Sequence, residues 1–114
     1  MRIENYRFGS MRIDGITYSR DLKIINNEVK PDWRRKNGHV VTRDDVADIL
    51  EAEPEILVLG KGSPGQMKPE PQLESELEKK GIKLIARPTE EAAYEFNRLL
   101  QDDRKIAAGF HLTC

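Results

Sequence analysis

The chain has 114 residues, 19 basic and 20 acidic, with a formal net charge of −1 and 34% of its residues charged. This is the length of one ordinary domain, able to bury roughly two-thirds of the surface its unfolded chain exposes. The near-neutral balance argues against an obligate nucleic-acid binder, which usually carries a strong basic excess.

The single cysteine permits no internal disulfide and points to a reducing compartment. The longest apolar run, Ile56 to Leu59, is far short of the ~20 residues of a membrane span. Met1 to Asn5 holds no apolar stretch of the kind a secretion signal needs. A cytoplasmic location and no membrane association are therefore expected.

Charge is unevenly placed. Residues 1–39 carry nine bases and five acids, residues 40–114 ten and fifteen. The first portion reads as β. Phe8, Met11, Ile13, Ile16 and Tyr18 fall in short runs broken by Asp14-Gly15, a pair that accepts positive φ at both turn positions and predicts a hairpin. Leu22–Ile25 predicts a further strand ended by Asn26-Asn27, and Asp32 to Gly38 a polar loop around Trp33.

The second portion alternates helix and strand. Thr42 and Asp45 have the spacing of a capping box ahead of the apolar stripe Val46, Ile49, Leu50, and Pro54 stops that helix. Ile56–Leu59, bounded by Gly60, predicts a strand covered on both faces. A helix over about 70–80 has Glu70 and Glu74 near its start, Lys79-Lys80 at its end, Gly81 at C′ and a stripe of Leu73 and Leu77.

Ile82, Leu84 and Ile85 predict another strand. Thr89 caps a third helix that buries Ala92, Ala93, Phe96, Leu99 and Leu100. The last strand, Lys105 to about Leu112, carries Ala107, Ala108 and Gly109, small residues that admit a neighbouring helix backbone. From Ile56 onward this order predicts a three-layer α/β core, preceded by an N-terminal antiparallel β element. The chain forms a single domain, 1–114, with a β-rich portion 1–39 and an α/β portion 40–114.

Gly60-Lys61-Gly62-Ser63-Pro64-Gly65 follows the buried strand and matches G-x-G-x-x-G. Three features oppose a dinucleotide site. No helix begins before Pro69, Pro64 lacks an N–H, and Arg87 stands after the next strand where an acid is required. Two readings stay open: a glycine turn with a solvent-facing lysine, or a small-anion site formed by Gly60, Lys61, Gly62, Ser63 and Arg87. No cofactor is expected.

His111 and Cys114 form a possible functional tail, yet residues three apart on a strand face opposite sides and do not pair directly. Two histidines, His39 and His111, and one cysteine do not complete a structural zinc site, so no metal is expected. Trp33-Arg34-Arg35-Lys36 reads as a solvated loop anchored by a partly buried tryptophan rather than a nucleic-acid surface. Asp44-Asp45 and Glu90-Glu91 serve helix dipoles, and Asn97, on the apolar side of its helix, needs partners and ties the helix to a loop. No Ser-His-Asp order, HExxH or CxxC occurs, and no catalytic residue is assigned.

Four stretches carry a family resemblance. They are Leu57-Val58-Leu59-Gly60-Lys61-Gly62, Lys80-Gly81-Ile82, Thr89-Glu90-Glu91-Ala92 with Glu95-Phe96-Asn97-Arg98-Leu99, and Ala108-Gly109-Phe110-His111-Leu112-Thr113-Cys114. Phe8-Gly9-Ser10-Met11 adds to them near the start. The chain resembles a short prokaryotic member of a family of unknown-function α/β domains that includes the animal adipogenesis-associated domain protein and mitochondrial respiratory complex I assembly factor 3. The resemblance implies a central mixed sheet of about five strands flanked by helices, no established enzymatic activity, and a non-catalytic protein-interaction or assembly role. The partner implied is an unknown protein or a second copy, without membrane or nucleic acid. The alternative from a different class is a small-molecule or anion-binding protein, or an enzyme, using the loop Gly60 to Gly65.

Overall fold

Turn chemistry sets the first elements of the computed structural model, which describes residues 1–114. Asp14 and Gly15 both take positive φ, 48° and 83°. They set Ile13 opposite Ile16 across a two-residue turn. With the preceding Phe8-Gly9 turn this folds β1 (Ile3–Arg7), β2 (Ser10–Ile13) and β3 (Ile16–Tyr18) into a three-stranded antiparallel sheet.

Asn26 and Asn27 repeat the device with φ of 52° and 61°, since short amide side chains tolerate the left-handed region. The pair read as a strand end is thus a hairpin turn. It joins β4 (Leu22–Ile25) to β5 (Glu28–Lys30). Glu28-Val29-Lys30 holds one apolar residue, so β5 has no signal in the sequence.

Beyond the loop follow β6 (Val40–Val41), a 3-10 turn over Asp44–Val46, α1 (Ala47–Ala52), β7 (Ile56–Lys61), β8 (Lys68–Pro69), α2 (Pro71–Lys79), β9 (Lys83–Arg87), α3 (Thr89–Leu100) and β10 (Ile106–His111). The capping box forms ahead of α1. Asp45 Oδ2 accepts from Thr42 N at 2.8 Å, and Asp45 N donates back to Thr42 Oγ1 at 3.4 Å. Glu53, with φ of 50°, ends α1 before Pro54.

Gly81 ends α2 with φ of 73°. Gly81 N donates to the Glu78 carbonyl at 3.1 Å and Ile82 N to the Leu77 carbonyl at 2.9 Å. These are the paired bonds of a Schellman motif, and Leu77 and Ile82 both belong to the buried apolar cluster beneath it.

The central sheet runs β5-β4-β10-β7-β9. β7, β9 and β10 are parallel, and β4 lies antiparallel beside β10. β9 and β10 flank β7 on opposite sides, so right-handed crossovers place α2 and α3 on opposite faces. One face packs Ile56, Val58, Ala108 and Phe110 against α3 and the β1–β3 sheet; the other packs Leu57, Leu59 and Ala107 against α1, α2 and Trp33.

The central sheet is the five-stranded mixed sheet expected, with the antiparallel N-terminal element beside it. Two of its strands, β4 and β5, come from the β-rich portion, so the sheet unites both portions of the chain. No helix is long and apolar enough to cross a membrane.

Asn97 ties α3 to a strand rather than a loop. Its Oδ1 accepts from Ile3 N at 2.9 Å and its Nδ2 donates to the Ile3 carbonyl at 2.7 Å. Asn97→Ala leaves both backbone groups unpaired and should cost about 1–3 kcal/mol. Urea unfolding checks the loss, and faster amide exchange confined to β1 checks its location.

Candidate functional site

The parallel pairing of β7 and β10 sets their carboxyl ends side by side, with Lys61 opposite His111. Partners in register leave the sheet on the same face. Here that is the face carrying Leu59 and Ala107.

Glycine brings the next loop against this point. Gly62 has φ of 93°, and a Cβ on it would collide with the Thr113 carbonyl and approach the His111 ring to 2.7 Å. At Gly60 a Cβ would fall 2.6 Å from the Phe110 ring and 2.9 Å from Thr89 Oγ1, on the α3 side.

Thr89 does not cap α3. It sits at the first helical position, with Pro88 before it and no capping bond. Its buried hydroxyl instead accepts from Gly62 N at 2.8 Å and donates to the His111 carbonyl at 2.5 Å. Thr89 N donates to the Gly62 carbonyl at 3.0 Å, and Ser63 N to the Thr113 carbonyl at 2.9 Å. The amides of Gly62 and Ser63 are therefore committed within the fold, and the loop works as a seam joining β7, α3 and the tail.

Arg87 pairs in register with Gly60, so its side chain leaves on the α3 face, opposite to Lys61. It donates to the Ala86 carbonyl and lines a surface depression with Glu90, Glu91, Tyr94 and Glu95. Cys114 is exposed beyond the strand while His111 is buried. Of the expected residues, the structure unites Gly60, Lys61, Gly62 and His111 near one strand-end corner, and sets Arg87 and Cys114 apart.

Two further residues complete the corner. Phe110 pairs with Leu22, which places Asp21, just before β4, beside His111. Asp21 Oδ1 accepts from Leu112 N at 2.8 Å, and Oδ2 lies 2.8 Å from His111 Nδ1. Arg35 Nη2 donates to the same Oδ2 at 2.7 Å and to the Gly38 carbonyl at 3.0 Å.

The segment carrying Arg35 is pinned by Trp33. Its N–H donates to the Asp21 carbonyl at 2.8 Å, and its Nε1 to the Asp45 carbonyl at 2.9 Å. A Cβ on Gly109 would fall 2.8 Å from the Trp33 ring. The small residue in β10 thus makes room for an indole, not for a helix backbone.

The Arg35 guanidinium stacks 4.5 Å from the Trp33 ring centroid. Its side chain is 4% exposed, against 8% for His111 and 16% for Asp21. The basic cluster read as a solvated loop therefore divides: Arg34 and Lys36 face water, while Trp33 and Arg35 turn inward. The pairing of β6 with β8, with Lys68 N donating to the His39 carbonyl at 2.9 Å, places the second histidine, which is exposed, at the rim of the corner. The rings of His39 and His111 stand edge-on, 6.0 Å apart.

Burial pushes the Asp21 carboxyl up, but hydrogen bonds from His111, Leu112 and Arg35 outweigh it and hold the group below the ordinary carboxylate value. Asp21 is thus a carboxylate, which only accepts, and His111 Nδ1 carries the hydrogen between them. The 3.2 Å approach of Arg35 Nη2 to Nδ1 brings together two donors that converge on one oxygen.

Three nitrogens of the corner are buried without a partner: Arg35 Nε, Arg35 Nη1 and His111 Nε2. Lys61 forms no ion pair or hydrogen bond through its ammonium group. The arrangement is one carboxylate against a buried guanidinium and a buried imidazole, with Lys61 on the neighbouring strand and the exposed His39 ring 6.0 Å from His111. Asp21 and Arg35 have no local signal, since they lie 90 and 76 residues from His111 in sequence.

The whole architecture recurs in solved structures. A conserved hypothetical protein of Pyrococcus horikoshii is 25% identical, each chain covered over 100% of its length, with a TM-score of 0.82. A protein named MT938 is 28% identical over 99% of this chain and 98% of its own, with a TM-score of 0.81. A Bordetella pertussis protein described as an Mth938-like domain shares the fold at 16% identity and a TM-score of 0.66, over 97% of this chain and 85% of its own. The family described as "Protein of unknown function (DUF498/DUF598)" matches residues 3–111, and the chain belongs to it, as the resemblance to unknown-function α/β domains led us to expect.

Proposed function

We propose that the protein binds a small oxyanion at the carboxyl ends of β7 and β10, in the corner formed by Arg35, Lys61 and His111. The observation that carries this reading is the pair of partnerless guanidinium nitrogens, Nε and Nη1, of Arg35, a side chain more than nine-tenths buried beside the equally unpartnered His111 Nε2. A buried donor without a partner costs about 1–3 kcal/mol, and a charge-assisted bond to an anion removes that cost.

Asp21 balances only one of the positive charges. The site lies where α/β sheets place ligands, outside the carboxyl ends of parallel strands. It differs from the loop site expected above in using side chains in place of the amides of Gly62 and Ser63, which are already engaged.

A protein-interaction or assembly role would draw on exposed apolar side chains. Those present are scattered: Met1 lies at the start of the chain, Phe8 and Ile16 stand at opposite ends of β2, and Tyr94 lies on α3. They supply less support than the corner does.

Trp33 is the one tryptophan of the chain and stacks on Arg35, so its fluorescence reports on the site. Titration with sulfate and with phosphate should give a saturable change with a Kd of about 1 mM or tighter. Lys61→Ala, a change outside the core clusters, should weaken binding about tenfold. Absence of both a fluorescence change and calorimetric heat with either anion would sink the reading.

A further inference from the structure

The hydrogen inventory of His111 constrains what binds beside it. The hydrogen on Nδ1 is committed to Asp21 Oδ2 at 2.8 Å. In a neutral ring Nε2 then carries only a lone pair, and it is this atom that lies buried without a partner. An oxyanion is also an acceptor, so the two repel. The ring holds Asp21 and an oxyanion together only as imidazolium, with a hydrogen on each nitrogen.

We propose, resting on the anion-binding reading above, that oxyanion capture in this corner is proton-coupled: each anion bound brings one proton from solvent onto His111 Nε2. That N–H donates to the anion while Nδ1–H keeps Asp21. No other bond forms or breaks, and release of the anion returns the proton to water.

The charges facing the ring make this a balanced device. Asp21, ahead of β4, favours the imidazolium. Arg35, with Nη2 at 3.2 Å from Nδ1, and Lys61, from the neighbouring strand on the same face, oppose a further positive charge. His39, edge-on at 6.0 Å, is the other titratable ring. Tyr6 lies on the far side, with its hydroxyl donating to the Leu112 carbonyl at 2.9 Å. A bound oxyanion adds a second negative charge beside Asp21 and tips the balance toward the charged ring.

Trp33 fixes one end of the segment that carries Arg35 and the His39–Lys68 bond the other.

Calorimetry of sulfate binding to the full chain, in buffers of different ionisation enthalpy, counts the protons taken up. Sulfate is the probe because, unlike phosphate, it does not titrate near neutrality. Uptake should rise toward one proton per sulfate at alkaline pH, where affinity should fall about tenfold per pH unit. In His111→Gln, whose amide still donates, uptake and pH dependence should vanish while sulfate still binds.

Sulfate binding without uptake in the wild type overturns the coupling and leaves the anion reading standing. Uptake that survives in His111→Gln also overturns it. No sulfate binding by the wild type removes both readings. Should His111→Gln fail to fold, nitrogen-15 spectra of the wild type read the same event: Nε2 moves to the protonated position with sulfate, and an unmoved Nε2 overturns the proposal.

Discussion

Asp21→Ala should destabilise the protein by about 3–5 kcal/mol, because it leaves a buried guanidinium without its carboxylate. The same change takes the acceptor from Leu112 N and the partner from His111 Nδ1. For a domain of this size the loss corresponds to a fall in melting temperature of roughly 20 °C. Asp21→Leu combined with Arg35→Met removes both charges and should recover at least half of the loss, since no buried charge then stands alone. A cost below about 1 kcal/mol for Asp21→Ala would mean that water reaches Arg35 and that the corner is not a closed ion cluster.

The pH dependence follows from the same group. The Asp21 carboxyl is held below its ordinary value of 3.8 in the folded protein, so its contribution is fully present above that value. The contribution is lost as pH falls through the lower folded value. Acid titration of stability should therefore steepen below about pH 4 in the wild type and be flatter in Asp21→Asn.

Gly62→Ala should cost about 2–4 kcal/mol and abolish sulfate binding as well. Its φ of 93° already strains an alanine, and the new Cβ meets groups that cannot move aside. The Thr113 carbonyl is held by Ser63 N at 2.9 Å, and the His111 ring is held by Asp21. Gly15→Ala is the matched control: its φ is 83°, but open space surrounds it. It should show only the conformational term of about 1 kcal/mol. Equal losses for the two substitutions in urea unfolding would refute the close approach of the loop to His111.

What the sequence foretells is confined to short range. Asp14-Gly15 makes its hairpin, Gly81 closes α2, and Ile56 to Leu59 is the buried strand. Ala92, Ala93, Phe96 and Leu99 are the buried stripe of α3. In each case the deciding forces act within a few residues: positive φ, a helix end, or apolar periodicity. The same forces misread Thr89, whose hydroxyl has a better use 22 and 27 residues away than at its own helix end. They pass over β5, β6 and β8, which hold too few apolar residues to stand out and exist through the strands they pair with.

The sequence by itself determined the α/β class, the family and most elements, and marked Gly60, Lys61, Gly62 and His111 as candidate site residues. Only the tertiary structure decided that Asp21 and Arg35 join His111 while Arg87 leaves on the other face. Arg34, Arg35 and Lys36 are adjacent and alike in charge, yet one is buried and two are solvated. Whether a charge lies in water or against a carboxylate depends on what packs over it, and for Arg35 that is a strand end 76 residues away.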